Sequence, residues 1–241
     1  MRRVIALLGT ILTTLAACDE VILDGAPPSG APAPSAQSQP VDRLTTSEAA
    51  RTFVQVARRM EPVAEQQCRA RTRNVNCDFR IVVDDRPNQP PNAYQTLDEN
   101  RRPIIAFTLG LIGQARNADE LAFVLGHEAA HHIAGHIDRQ QQNAMAGAVI
   151  FSGLATLTGG GEAAVRTAQE LGATVGARTY SKEYELEADQ LGTILTIQGG
   201  YDPLRGAQFF NRIPDPGNRF LGTHPPNAQR MEIVRRTAAG Y

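Results

Sequence analysis

Five residues constrain this chain more than any others: His127-Glu128-Ala129-Ala130-His131. Two histidines four apart bring both imidazoles to one side only if the backbone between them is helical, because four steps of about 100° return a side chain to nearly the same face, one turn on. The neighbouring sequence agrees. Asn117 followed by Glu120 three residues on is a capping-box signature, and it opens a helical segment that runs to about Asp138. On such a helix the two imidazoles can share one Zn²⁺, and Glu128, rotated by about 100°, can reach a water bound to it. The competing reading is a surface helix with stray histidines. With only 5 His in 241 residues, a chance match at this spacing is uncommon.

A catalytic zinc takes three protein ligands and leaves a position for water, whereas a structural zinc is closed by four. A third His in H-E-x-x-H-x-x-G-x-x-H would need Gly at 134 and His at 137; the chain has Ala134 and Ile137, with Gly135 and His136 one position early. That source fails. A Glu from a later helix is the other solution, and Glu183, Glu185 and Glu187 are the candidates. Tyr184, Ala188, Leu191 and Leu195 make the apolar stripe of that helix, and Glu185 and Asp189 lie beside it one turn apart. An inward carboxylate pair is costly to bury without a cation. The metal ligands are therefore expected to be His127, His131 and Glu185, with Glu128 as catalytic base and Asp189 accepting the N–H of a ligand imidazole. Glu183 and Glu187 read as an ordinary outward charged face, and His132 and His136 as supporting residues.

The N-terminus carries Arg2 and Arg3, then an apolar run from Val4 to Leu15 that is too short to cross a bilayer comfortably. It reads as a secretory signal over residues 1–17. Leu15-Ala16-Ala17-Cys18 resembles the lipobox at which bacterial lipoproteins are cleaved and lipidated on the Cys, the alternative being an ordinary signal peptide. Residues 18–40 are rich in Pro, Ala and Ser, with too little apolar surface to repay ordering, and read as a tether. The expected domain is 41–241. Export would put Cys68 and Cys77 in an oxidising compartment, where a disulfide is expected rather than two free thiols. A net charge of −1, with 24 basic residues scattered along the chain, offers no footprint for nucleic acid.

Within the domain, helical spacing of Phe53, Val56, Ala57 and Met60 predicts a helix over 47–66 capped by Ser47. The short β-branched run at 79–83 and the apolar run at 103–108, with the less apolar 92–96 between them, predict a small sheet of about three strands. Further helices are expected over 144–157, 162–177, 181–198, 203–211 with Asp202 as cap, and 225–237. The fold class is mainly helical α+β. The stretch from Ala144 to Leu157 is apolar on nearly all sides, which favours a buried core helix, with membrane-surface contact as the other reading.

Several of these features together resemble the gluzincin zinc metallopeptidases of the CAAX prenyl protease and HtpX type. They are Asn92-Ala93-Tyr94 before the active helix, Glu120-Leu121-Ala122 leading into His127–His131, Gly135-His136, the E-x-x-A-D of Glu185, Ala188 and Asp189, and His224-Pro225-Pro226 with Arg230. The resemblance covers most of 41–231, and with the lipobox it points to the periplasmic lipoprotein branch. It departs at Ser181-Lys182 and Asp189-Gln190, where the family often carries Arg second. What it implies is a zincin-like domain holding one zinc, and a periplasmic endopeptidase, membrane-anchored through Cys18, acting on misfolded or misassembled envelope proteins. It also implies active-site roles for His224 and Arg230: the family's matching His approaches the metal, whereas a lone His before a Pro-started helix would otherwise read as a surface cap. The alternative is a chaperone-like or scaffold lipoprotein that keeps the zinc and cleaves little.

Overall fold

The computed structural model describes residues 44–214, 217 and 224–241. The leader, Cys18 and the Pro-rich stretch lie outside the described residues. The first helix, α1, spans Thr46–Arg71. It begins ahead of Ser47, because Glu48 stands three residues after Thr45 and the two close a reciprocal capping box: the Thr45 hydroxyl accepts from the Glu48 N–H, and the Glu48 carboxylate accepts from the Thr45 N–H at 2.8 Å. It also runs past Gln66, since the stripe of Phe53, Val56 and Met60 continues through Ala64 and Cys68, all buried. Cys68 is disulfide-bonded to Cys77 with Cα atoms 5.6 Å apart, which ties the end of α1 to the chain entering the sheet.

Strands β1 (Arg80–Asp84), β2 (Ala93–Leu97) and β3 (Pro103–Thr108) form one sheet in the order β1-β3-β2. β3 is parallel to β1 and antiparallel to β2. As the central strand it is the apolar one, with Ile105, Ala106 and Phe107 buried. β2 is therefore an edge strand.

After a short helix, α2 (Leu109–Gln114), comes α3 (Ala118–Ile133), buried along most of its length. Asn117 caps it, its side chain accepting from the Glu120 N–H at 3.0 Å. The expected capping box is only half formed, because the Glu120 carboxylate accepts instead from the Arg116 N–H at 2.9 Å and pairs with Arg212. The helix does not reach Asp138. Gly135 adopts φ 67°, a left-handed conformation that costs glycine little, and the chain turns there into α4 (His136–Leu157).

α4 and α5 (Glu162–Thr179) pair as a hairpin, but α4 is not the buried core helix its composition suggested. Met145, Val149, Ile150, Leu154 and Leu157 are exposed, Leu157 at 87%. The reason is the seam: a Cβ added to Gly147 would lie 2.0 Å from the Gly172 carbonyl oxygen, and one on Gly176 would lie 2.1 Å from that of Asn143. Small residues bring the two backbones together, and the large apolar side chains are left outside. Among the described residues no helix is long and apolar enough to cross a membrane.

α6 (Ser181–Gln198) lies against α3, and α7 (Pro203–Gly206) follows, capped by Asp202, whose carboxylate accepts from the Leu204 and Arg205 N–H groups. A 3₁₀ turn over Ala207–Asn211 replaces the second half of the helix expected there, and α8 (Asn227–Ala239) ends the chain's regular structure.

Candidate metal centre

Two helices meet here at backbone distance. A Cβ on Gly192 of α6 would stand 2.9 Å from the His127 backbone nitrogen, and one on Gly126 of α3 would stand 2.9 Å from the Gly192 carbonyl oxygen. This crossing carries the acidic face of α6 onto the histidine face of α3.

The result is a compact donor set. The Nε2 atoms of His127 and His131 face each other at 3.0 Å. Glu185 places Oε2 3.5 Å from His127 Nε2 and Oε1 3.3 Å from His131 Nε2. One donor atom from each of the three residues lies within 4.8 Å of the others. Zinc bonds of about 2.0–2.2 Å in tetrahedral array separate donors by about 3.4 Å, so the set has the right chemistry and scale to hold a metal ion.

The tautomers agree. His127 Nδ1 is 2.9 Å from Asp189 Oδ1, and an ionised carboxylate only accepts, so Nδ1 donates there and Nε2 is the nitrogen turned toward Glu185 and His131. Asp189 is fully buried and held from its other side by Arg230, which donates from Nε and Nη2 at 2.7 Å each. Burial opposes charge on His127, yet hydrogen bonds and charge from Asp189 and Glu185 outweigh it and raise its pKa to about 10. Burial likewise pushes Glu185 up, but the two imidazoles hold its carboxyl well below the ordinary range. The cluster thus demands positive charge, which a divalent cation would supply.

His131 is held differently. Its Nδ1 lies 2.8 Å from His136 Nδ1, whose ring stacks on Tyr184 with centroids 4.7 Å apart and planes 14° from parallel. His136 Nε2 reaches Glu187 at 3.2 Å, and Arg139 donates to the same carboxylate at 2.8 Å. Burial first, and then the neighbouring His131, lower the His136 pKa to about 4. Glu187 was expected to be an idle outward acid. It is 46% exposed as the helix period requires, but its carboxylate reaches back to His136, which no period of α6 alone encodes. The available signal was Gly135, since a glycine directly before His136 marks a turn that could swing that imidazole round.

The remaining candidates divide. Glu128 is half-buried and lines a cleft of about 520 Å³ with His127, His131, Glu185 and His224. His224 is brought in from the far end of the domain, Nε2 3.9 Å from Glu185 Oε2, with its side chain 53% exposed. Arg230 was expected beside it as a catalytic group. It is 5% exposed and lines the same cleft, with Nη2 3.6 Å from Glu185 Oε2, while Nε and Nη2 donate to Asp189 and the guanidinium lies 3.8 Å over the Phe210 ring. His132 lies apart, its Nε2 2.7 Å from the Asn76 carbonyl oxygen and its ring edge-on to Phe79.

Comparison with known proteins places this geometry in context. Residues 50–238 match the model of peptidase family M48. The chain is 30% identical over 153 residues to a protein named putative beta-barrel assembly-enhancing protease from Vibrio cholerae, covering 57% of this chain and 31% of the relative. It is 26% identical over 135 residues to the mitochondrial metalloendopeptidase OMA1 of Arabidopsis thaliana, covering 54% and 27%. It is 28% identical over 135 residues to the beta-barrel assembly-enhancing protease of Escherichia coli O157:H7, covering 51% and 28%. The chain thus spans less than a third of the length of these relatives.

Proposed function

This chain belongs to peptidase family M48, and on that premise we propose that it is a zinc-dependent endopeptidase of the bacterial envelope, with His127, His131 and Glu185 as the metal ligands. The observation that carries the reading is the convergence of two imidazole nitrogens from α3 and one carboxylate from α6 beside a cleft that Glu128 also lines.

A zinc ion held by these residues supplies a Lewis acid that lowers the pKa of a water toward about 7 and polarises a scissile carbonyl. The chain's own residues do the rest. Glu128 takes the proton from the attacking water and returns it to the leaving amine. Asp189, clamped by Arg230, keeps His127 in the tautomer that presents Nε2. His224, exposed at the cleft, donates an N–H to the oxygen on which negative charge develops. β2 supports a polypeptide substrate: Asn92, Ala93, Tyr94 and Gln95 line the cleft, and among the described residues the strand pairs with β3 alone, which suits its other edge to an extended segment.

Substrates in this reading are misfolded or misassembled envelope proteins, in keeping with relatives named for beta-barrel assembly. Signal cleavage before Cys18 and its lipidation would hold the domain 41–241, through the 18–40 tether, on the periplasmic side of a membrane. A scaffold that retained zinc without cleaving would need no base beside the metal, so Glu128 in the cleft favours the enzyme.

The test is zinc content and casein cleavage on wild type and Glu128→Gln side by side. Retained zinc with cleavage lost by at least about 100-fold is expected. Full cleavage by the variant would overturn the mechanism.

A further inference from the structure

Both histidines of the donor set pass their Nδ1 hydrogen bond to a chain of groups that ends on an arginine, but the two chains differ in kind. For His127 it is Asp189 and Arg230, all buried. For His131 it is His136, Glu187 and Arg139, with an imidazole where a carboxylate usually stands.

Hydrogen-bond direction follows from the far end. The Arg139 guanidinium only donates, and the Glu187 carboxylate only accepts, so His136 Nε2 carries its proton toward Glu187. In neutral His136 the Nδ1 then holds the lone pair, and His131 Nδ1, 2.8 Å away, donates to it. That leaves the His131 Nε2 lone pair facing His127 Nε2 and Glu185. Tyr184 makes the arrangement rigid. Its ring lies flat against His136, Arg139 lies 4.3 Å over the Tyr184 ring, and Asn143 donates to its hydroxyl at 2.7 Å.

We infer that His136 and Glu187 are positioning residues for metal binding: acting in series, they set the tautomer and orientation of His131 and so raise the affinity of the site for zinc. The inference rests on the ligand set proposed above and assigns work to two residues outside it.

The test uses the full chain and measures zinc affinity by competition with a fluorescent chelator, together with the visible absorption of the Co²⁺-loaded protein. His136→Phe keeps the ring against Tyr184 and removes the acceptor; zinc affinity should fall about 10- to 100-fold, with a shifted Co²⁺ spectrum. The Tm of metal-free His136→Phe should stay close to wild type, which separates positioning from folding. Glu187→Gln should weaken zinc less, and adding it to His136→Phe should cost nothing more, because the groups act in series. Equal zinc affinity in wild type and His136→Phe, or additive losses in the double variant, would overturn the inference while leaving the metallopeptidase reading standing. A wild-type chain that takes up no zinc overturns that reading and the inference with it.

Discussion

His127 and Asp189 are 62 positions apart in the chain, yet His127 Nδ1 and Asp189 Oδ1 lie 2.9 Å from each other in the interior. Asp189 has no exposed surface and shares its oxygens between that imidazole and the Arg230 guanidinium. Removing its charge deprives the buried Arg230 of its closest carboxylate and leaves it Glu185 Oε2 at 3.6 Å. Asp189→Asn should therefore lower the unfolding free energy by about 3 kcal/mol, measured by chemical denaturation of the chelator-treated chain. A loss under about 1 kcal/mol would mean that the pair is wetter than its burial implies.

The crossing of α3 and α6 sets the separation of the ligands. Gly192→Ala would force a Cβ to 2.9 Å from the His127 backbone nitrogen, where no flexible side chain can yield. Destabilisation of about 1–3 kcal/mol and weaker zinc binding should follow. Gly153→Ala, in α4 with nothing within 4 Å of the new Cβ, is the control. It should stabilise by about 0.5–1 kcal/mol, because alanine is the better helix former.

Apolar residues of the hairpin and of the core should differ sharply in how much their loss costs. Leu157→Ser and Val149→Ser remove side chains that are 87% and 70% exposed, and each should shift stability by no more than about 0.5 kcal/mol. Phe123→Ala empties a fully buried site packed edge-on against Phe210 and should cost about 3–5 kcal/mol. Thermal unfolding of the three variants checks the contrast.

Burial holds the His132 pKa below its ordinary value, against the opposing pull of the Asn76 carbonyl. A histidine depressed in the folded state binds its proton more readily when unfolded. Its contribution to stability is therefore complete above about pH 6.5 and is lost as the pH falls from there toward the folded pKa. The His132 ring resonance should titrate with a midpoint below 6.5 in an NMR pH series, and a midpoint above 7 would contradict the burial argument.

Removal of the metal should show in stability as well as in activity. A ligand bound only by the folded chain stabilises it in proportion to the logarithm of its concentration over Kd, so zinc at about 100 times Kd adds about 2.7 kcal/mol. Chelation should lower the Tm, and added zinc should restore it. A Tm indifferent to both would argue against a preformed site.

Much of this molecule was legible in one dimension. The helix bearing His127 and His131, the inward turn of Glu185 and Asp189 and the helix from Ser181 to Gln198 follow from local periodicity, which reports the direction of a side chain within its own element, and the strand from Pro103 to Thr108 follows from its apolar run. What faces that side chain is another matter. The sequence by itself determined the donor types and their spacing on each helix. Only the tertiary structure decided that Gly126 and Gly192 let the two helices touch, and that a glycine seam rather than the leucines joins α4 to α5. It also decided that the turn at Gly135 brings His136 to His131, from which it would stand about 140° away on an unbroken helix. The physical reason is common to all three: a small residue carries no apolar signal, yet it sets how closely two backbones approach, and that distance selects which side chains can meet.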